Sequence, residues 1–217
     1  MFKKNKKELV QIIEELRSEN EELRGLLQKD DSKNKLTTES FIKQNKILTQ
    51  LNKFSIELAF LDYKEVFPYI VSTFKNLFQI KYIFINIYEE ETKDLIAKYV
   101  SLTDEENSRI IKYLGSKAVN RRTHLSDEQY NRIVSETYSR MDSINELTFG
   151  SIPDSIGKTI EKLFGIDWFV GVALINREKL IGTLIIMGDK EQNPPAKDEI
   201  ISFVGIIANA LERKKAE

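Results

Sequence analysis

The chain has 217 residues, of which 33 are basic and 34 acidic, and a net charge of −1 gives no overall attraction to nucleic acid or a membrane surface. It contains no cysteine, which excludes disulfides, zinc–thiolate and iron–sulfur sites, a thiol nucleophile and a thioether-linked chromophore. Because no stretch approaches the roughly 20 apolar residues of a membrane helix, and Glu8 interrupts the basic start of the chain, we expect a cytoplasmic protein.

The first 40 residues carry a heptad pattern, with leucine at each d position and Asn20 at an a position. The seam is formed by Leu9, Ile13, Leu16, Asn20, Leu23 and Leu27. An asparagine at a favours a parallel, in-register pair, so the pattern predicts a homodimeric coiled coil. The alternative is one amphipathic helix folded back on its own domain. The pattern fades over residues 30–40, which predicts a break or a weakly held helix, and we place the domain boundary between residues 40 and 41.

Residues 41–217 are predicted to form one domain that opens with two helices and a hairpin. Apolar residues recur at helical spacing from Ile47 to Leu61 and from Val66 to Phe78, with a short turn over residues 62–64 between them. Tyr82–Tyr88 alternates as a strand, with isoleucines on one face and aromatic residues and Asn86 on the other. The segment 95–101 is its predicted hairpin partner.

The middle of the domain is predicted to be irregular and mainly helical. A helix over residues 104–114 ends at Gly115, and a strand follows over residues 118–125. Ser126 opens a capping box for a helix that runs to about Thr137. Residues 147–152 have no clear pattern, and Pro153 begins another helix that stops at Gly165.

The closing block is a second hairpin, Trp168–Met187, followed by a C-terminal helix. Its two strands flank the polar turn 176–179 and are apolar on nearly every residue, which places them in the middle of a sheet. These elements predict an α+β fold with a mainly antiparallel sheet. We expect the terminal helices on one face of the sheet and the irregular middle on the other.

The closing block resembles the end of a GAF domain, the small-molecule sensing module of signalling proteins. The similarity lies in the strand Val172–Ile175, the glycine-bearing strand Leu180–Leu184 and the helix Asp198–Arg213, which ends in Ala-Leu-Glu-Arg. The segment Phe78–Tyr88 is similar to a GAF start, and Glu146–Pro153 resembles a subgroup found in sensor histidine kinases of two-component systems. The resemblance covers about Ile47 to Arg213.

The chain also departs from well-characterised GAF subgroups. It lacks the Asn-Lys-x-x-Phe-Asp-Glu signature of cyclic-nucleotide GAF domains, and it has no cysteine for bilin attachment or methionine-sulfoxide reduction. The resemblance therefore implies sensing or scaffolding and leaves the cofactor or ligand unknown.

A small-molecule site is predicted on the sheet face away from the terminal helices. Asn86 and Thr183 interrupt otherwise apolar strands, and a polar group among aromatic walls is typical of such sites. The candidate ligand-binding residues are Phe84, Asn86, Tyr130, Tyr138, Phe149, Trp168 and Thr183. The alternative is ordinary packing, with the amide and hydroxyl bonded to backbone. Arg121 and Arg122 could clamp a carboxylate or phosphate, but we favour surface charge for both.

Three hypotheses follow. The first is a non-catalytic GAF sensor, homodimeric through its coil and terminal helices, which passes a ligand-induced change to a histidine kinase or another output protein. The second is a constitutive dimerisation or scaffold module with a filled pocket. The third is an enzyme, which we rank last because no nucleophile, metal set or acid/base pair emerges from the sequence. None of the three requires nucleic acid or a membrane as a partner.

Overall fold

The computed structural model describes residues 21, 45 and 47–216, and the chain divides into two units, Met1–Asn52 and Lys53–Glu217. In the first unit the described residues are all helical, and Thr49 Oγ1 donates a hydrogen bond to the carbonyl of Asn45. The predicted coiled-coil seam and the boundary predicted after residue 40 lie outside the described residues. Both therefore stay predictions.

The second unit is built on one antiparallel sheet, in the order β3-β2-β1-β6-β5-β4. Its strands are β1 (Tyr82–Glu89), β2 (Asp94–Val100), β3 (Arg122–His124), β4 (Tyr138–Met141), β5 (Trp168–Asn176) and β6 (Lys179–Gly188). β6 lies between β1 and β5, and β5 lies between β6 and β4. The prediction that the closing hairpin occupies the middle of the sheet is therefore confirmed.

Residues 53–216 contain seven helices, and three of them are bounded by predicted signals, which are Gly115, Ser126 and the pair Pro153 and Gly165. They are α1 (residues 53–60), α2 (Tyr63–Phe78), α3 (Asp104–Leu114), α4 (Asp127–Ser135), α5 (Ile144–Leu147), α6 (Asp154–Phe164) and α7 (Lys197–Ala216). α4 begins with the capping box of Ser126 and Gln129. α3 ends at Gly115, whose φ of 71° is left-handed and whose N–H donates to the carbonyl of Ile111.

The terminal helices share one face of the sheet. Phe54 of α1, Phe74 of α2 and Phe203 of α7 are buried against one another, with ring centroids 5.5 to 6.3 Å apart. On the opposite face, α3 and α6 contribute buried residues to a second cluster with strand residues such as Tyr82 and Met187. The predicted α+β class and its two-faced arrangement are confirmed.

Several local predictions are wrong in detail. The strand expected over residues 118–125 is confined to Arg122–His124, and the four residues of β4 are a strand that the sequence does not predict. β4 is a short edge strand with polar and apolar residues mixed, which leaves little periodicity to recognise. The hairpin turn has two central residues rather than four, because Asn176 pairs with Lys179. Arg177 and Glu178 take positive φ values of 46° and 66°, as a type I′ turn requires.

α2 also begins earlier than expected. Asp62 is its N-cap, so Tyr63 and Lys64 belong to the helix and not to a turn.

A β-bulge in β2 interrupts the regular alternation of side chains between the two faces of the sheet. Phe84 pairs with Val100 and Asn86 pairs with Ala97, so Lys98 is one extra residue on β2. Residues that pair with Phe84 and Asn86 point the same way as those two side chains. The bulge therefore turns both Val100 and Ala97 toward α3 and α6, although they lie three positions apart in the sequence.

No helix among residues 47–216 combines the length and hydrophobicity needed to cross a bilayer.

Candidate functional site

A cavity of about 160 Å³ lies between the sheet and helices α3 to α6. Its floor consists of neighbouring residues on three strands. Phe84, Ile185 and Gly171 are paired side by side, and the next row is Asn86, Thr183 and Ala173. Since roughly 10–15 Å³ is enough to admit one water molecule, this volume has room for a small organic ligand.

The walls of the cavity are mainly apolar. Ile110 and Leu114 come from α3, and Ile160 and Phe164 come from α6. Phe149 lies in the turn after α5, with a φ of 50°, in the left-handed region that bulky side chains rarely adopt. A few polar groups among aliphatic and aromatic walls are the usual composition of a small-molecule site.

Asn86 and Thr183 form a polar pair in the floor. The Asn86 amide Nδ2 donates a 2.9 Å hydrogen bond to Thr183 Oγ1. Thr183 is 5% exposed and is the one polar side chain classed as buried among the described residues. The sequence leaves open whether these groups face a ligand or bond to backbone. The structure shows that they face the cavity and bond to each other, which leaves the hydroxyl hydrogen of Thr183 and the second amide hydrogen of Asn86 for other acceptors.

Four of the seven predicted site residues line the cavity: Phe84, Asn86, Phe149 and Thr183. Two others lie on the opposite face of the sheet. Tyr138 pairs with Val172 and Trp168 with Gly188, whereas the cavity side of β5 carries Gly171 and Ala173. The placement of Tyr138 and Trp168 in the pocket is therefore wrong, because alternate residues of a strand face opposite ways.

Those two side chains have structural partners. The Trp168 indole N–H donates to the carbonyls of Asp189 and Gln192, at 3.0 and 2.8 Å, and the Tyr138 hydroxyl donates to the carbonyl of Pro195 at 3.0 Å. Both side chains hold the segment before α7 in place through these hydrogen bonds. Tyr130, the seventh predicted residue, packs beside the cavity, with its ring 5.2 Å from that of Tyr88.

The charged residues at the cavity separate into paired and unpaired groups. Arg132 is exposed and lies 3.5 Å from a carboxylate oxygen of Glu136 and 3.4 Å from one of Glu146. Arg121 also lines the cavity, and its Nε is buried without a hydrogen-bond partner. The expectation that Arg121 is a surface charge is therefore wrong.

Arg122 behaves differently from its neighbour. Its guanidinium points to the surface, where Nη1 lies 2.7 Å from Glu89 and 3.0 Å from Asp94. These contacts lower the pKa of Asp94, chiefly through the hydrogen bond from Arg122. The two arginines therefore do not form a clamp. Of the two, only Arg121 reaches the cavity, because adjacent residues of an extended chain face opposite ways.

Within residues 47–216 no group of three or more histidine, aspartate or glutamate side chains is arranged to hold a metal ion.

No family model matches the sequence, and no curated protein matches it. Several solved structures are similar to this chain. The GAF domain of a phosphoenolpyruvate-protein phosphotransferase from Acinetobacter matches 78% of this chain and 94% of its own, at 12% identity and a TM-score of 0.55. The corresponding domain from Coxiella burnetii matches 78% of this chain and 95% of its own, at 11% identity and a TM-score of 0.54.

This chain has the GAF fold. A third solved structure, the phycocyanobilin-bound GAF domain of a cyanobacterial phytochrome, has a TM-score of 0.52, covers 78% of this chain and 96% of its own, and is 12% identical. At these identities the similarity concerns the fold alone. The fold expected from the closing hairpin and helix is thus confirmed, whereas the ligand-binding roles of Phe84, Asn86, Phe149 and Thr183 stay predictions.

Proposed function

We propose that this GAF domain is a non-catalytic sensory or regulatory module that binds a small molecule in the cavity. The observation that carries the proposal is a mainly apolar space of about 160 Å³ with a polar pair, Asn86 and Thr183, in its floor. A domain that served only as a scaffold would gain packing contacts by filling this space with larger side chains. The alanines at 97 and 173 keep it open.

The similar solved structures support a regulatory role. They include GAF domains of phosphoenolpyruvate-protein phosphotransferases, and a far-red cyanobacteriochrome photoreceptor. By analogy, this chain acts in signal transduction in the cytoplasm, and its output partner is a histidine kinase or another signalling protein.

The proposed route of the signal runs through the sheet to the terminal helices. Ile185 faces the cavity, and its neighbour Ile186 is buried on the opposite face, where α7 packs on β5 and β6. A ligand that shifts β6 would therefore shift α7. We propose that the chain is a homodimer, paired through its terminal helices and the heptad residues Leu9, Ile13, Leu16, Asn20, Leu23 and Leu27, so that this shift alters the pairing.

A second candidate function is a constitutive dimerisation or docking module. Ile56 and Phe60 on α1 favour it, because they are 60% and 85% exposed and lie four residues apart on one side of the helix. The two functions differ in whether a ligand ever occupies the cavity.

Native mass spectrometry of the protein purified from its own source tests the proposal, and a retained small molecule is the expected result. Binding of a neutral fluorescent probe, 2-naphthamide, provides a second measurement. Ala97→Leu, which fills the cavity, should abolish both signals. Ile96→Leu is the matched control, because Ile96 is the neighbouring buried residue that pairs with Ile87 on the other face. An empty protein that binds no probe, or equal binding by both variants, would contradict the proposal.

A further inference from the structure

Arg121, the residue that precedes β3, extends the polar row of the cavity floor beyond β2. Its carbonyl accepts a 3.0 Å hydrogen bond from the N–H of Ala97, and Ala97 in turn pairs with Asn86. Asn86 pairs with Thr183 on the next strand. Arg121, Ala97, Asn86 and Thr183 therefore lie side by side, with only a methyl group between the arginine and the polar pair.

The β2 bulge creates this row. If β2 were regular and Lys98 paired in turn, strand alternation from Val100 would place Ala97 on the other face of the sheet. The bulge brings Ala97 to the cavity and thereby places the segment opposite it, which contains Arg121, at the cavity edge. β-Bulges are frequent beside functional sites because they re-aim side chains in this way.

Among the described residues, the guanidinium of Arg121 has no anionic partner. Its Nε is buried and unbonded, and it forms no ion pair with a carboxylate of residues 47–216. A guanidinium has N–H donors and no acceptor, so only an incoming acceptor can satisfy it. A buried donor without an acceptor is costly, which makes an incoming acceptor favourable.

The other charges nearby are already compensated. Arg122 is held by Glu89 and Asp94 on the surface, and Arg132 lies between Glu136 and Glu146 at the cavity edge. The lining residues therefore carry two positive and two negative side chains. One arginine is available to a ligand, and the two carboxylates at the edge disfavour a ligand with more than one negative charge.

We infer that the ligand of the cavity is an organic monoanion of the carboxylate class, with an apolar body, whose carboxylate binds Arg121. This inference rests on the proposed function. The planar guanidinium matches the two oxygens of a carboxylate, whereas a doubly charged phosphate would require more positive charge than the cavity supplies. The apolar body packs on Phe84, Ile110 and Phe164, and the free amide hydrogen of Asn86 lies in the same row as the arginine.

The test compares two probes of nearly the same shape, 2-naphthoate and the neutral 2-naphthamide, by fluorescence titration at fixed ionic strength. In the unmodified protein the carboxylate should bind roughly 10-fold to 100-fold more tightly than the amide, the range expected for a hydrogen bond to a charged group. In the Arg121→Gln variant the two probes should bind with about equal affinity, and the affinity for 2-naphthamide should be unchanged. Arg121→Met should have the same effect on the preference and keeps the aliphatic stem of the side chain.

Arg122→Gln is the matched control, because it removes the adjacent positive charge that is already paired at the surface, and the preference should persist in it. Equal binding of the two probes to the unmodified protein, or an undiminished preference in both Arg121 variants, would overturn the inference and leave the proposed function standing. Binding of neither probe would contradict both.

Discussion

The hydroxyl of Tyr82 donates a 2.7 Å hydrogen bond to Oε1 of Glu106, which joins the floor of the cavity to the first turn of α3. The other oxygen of the same carboxylate accepts a 2.8 Å hydrogen bond from the N–H of Thr103 and completes the capping box. A single carboxylate thus caps α3 and holds it on the sheet. Because Ile110 and Leu114 of α3 line the cavity, this contact positions one of its walls.

We predict that this contact makes the domain sensitive to acid. Burial acts to raise the pKa of Glu106, but hydrogen bonds from Thr103 and Tyr82 outweigh it and hold the pKa below its ordinary value. A carboxyl group whose pKa is lower in the folded state than in the unfolded state stabilises the folded protein at pH values above the ordinary pKa of glutamate, about 4.3. This stabilisation is lost as the pH falls through the lowered value.

Urea unfolding between pH 7 and pH 3 should show a smaller loss of stability on acidification for Glu106→Gln than for the unmodified protein. Glu105→Gln removes an exposed carboxylate from the same turn and should behave like the unmodified protein. Identical pH profiles for all three would contradict the assignment.

Tyr69 should titrate at a more alkaline pH than an ordinary tyrosine. Burial, followed by its hydrogen bond to Glu57, raises the pKa of Tyr69 to about 12. A tyrosine whose pKa is raised by folding stabilises below pH 10 and loses this contribution as the solution becomes more alkaline. The difference in absorbance at about 295 nm between the unmodified protein and Tyr69→Phe should show the transition. The Glu57→Gln substitution should shift the pH of this transition toward 10. An unshifted transition would mean that Glu57 does not contribute to the raised pKa of Tyr69.

Ile185 and Ile186 provide a matched pair of neighbours on β6 with opposite surroundings. Ile186 is fully buried on the face of the terminal helices, and Ile185 is 7% exposed and borders the cavity. Replacement of a buried isoleucine by alanine costs about 2–5 kcal/mol, and the cost rises with the volume of the void that the missing side chain leaves. We expect Ile186→Ala near the upper end of this range and Ile185→Ala near the lower end, measured by urea unfolding. A larger cost at Ile185 would indicate that the cavity is filled in solution.

Gly182 and Gly205 are predicted to respond in opposite ways to alanine. A Cβ at residue 182 would overlap the backbone oxygen of Asn86, which cannot move without separating β1 from β6. A Cβ at residue 205, on the exposed side of α7, meets no atom within 4 Å. Gly205→Ala should raise the free energy of unfolding by about 1 kcal/mol, the usual helix preference for alanine over glycine. Gly182→Ala should lower it by several times this amount. Similar midpoints of thermal unfolding for the two variants would contradict the β1–β6 contact.

The sequence predicts those parts of the fold that depend on local patterns. The alternation of Tyr82–Tyr88, the apolar strands on either side of Arg177 and the capping box at Ser126 each specify an element from a few adjacent residues. The facing of Asn86 and Thr183 follows from the same alternation. The two-faced arrangement follows because helices must cover both sides of a sheet whose central strands are apolar on both faces.

The rest of the site depends on pairing between distant residues. The β2 bulge is a property of the pairing between β1 and β2, and no residue near Lys98 indicates it. In the sequence, the aromatic side chain of Trp168 at the start of the hairpin suggests a place in the cavity wall. The direction in which it points is instead set by its pairing with Gly188. Arg121 and Arg122 are identical in kind and adjacent in sequence, so only the tertiary structure distinguishes the cavity residue from the surface ion pair.

The bulge at Lys98 also has a consequence for comparisons with related proteins. In a homologue that lacks the extra residue, simple alternation would keep the equivalents of both Val100 and Ala97 on the cavity face. In a homologue that has a strand of the same length but no bulge, the equivalent of Lys98 would pair with that of Asn86, and the equivalent of Ala97 would face the terminal helices. Its equivalent of Arg121, which lies opposite that position, would then be turned away from the cavity. A conserved arginine would therefore imply a shared ligand chemistry only among relatives in which the facing of β2 is also kept.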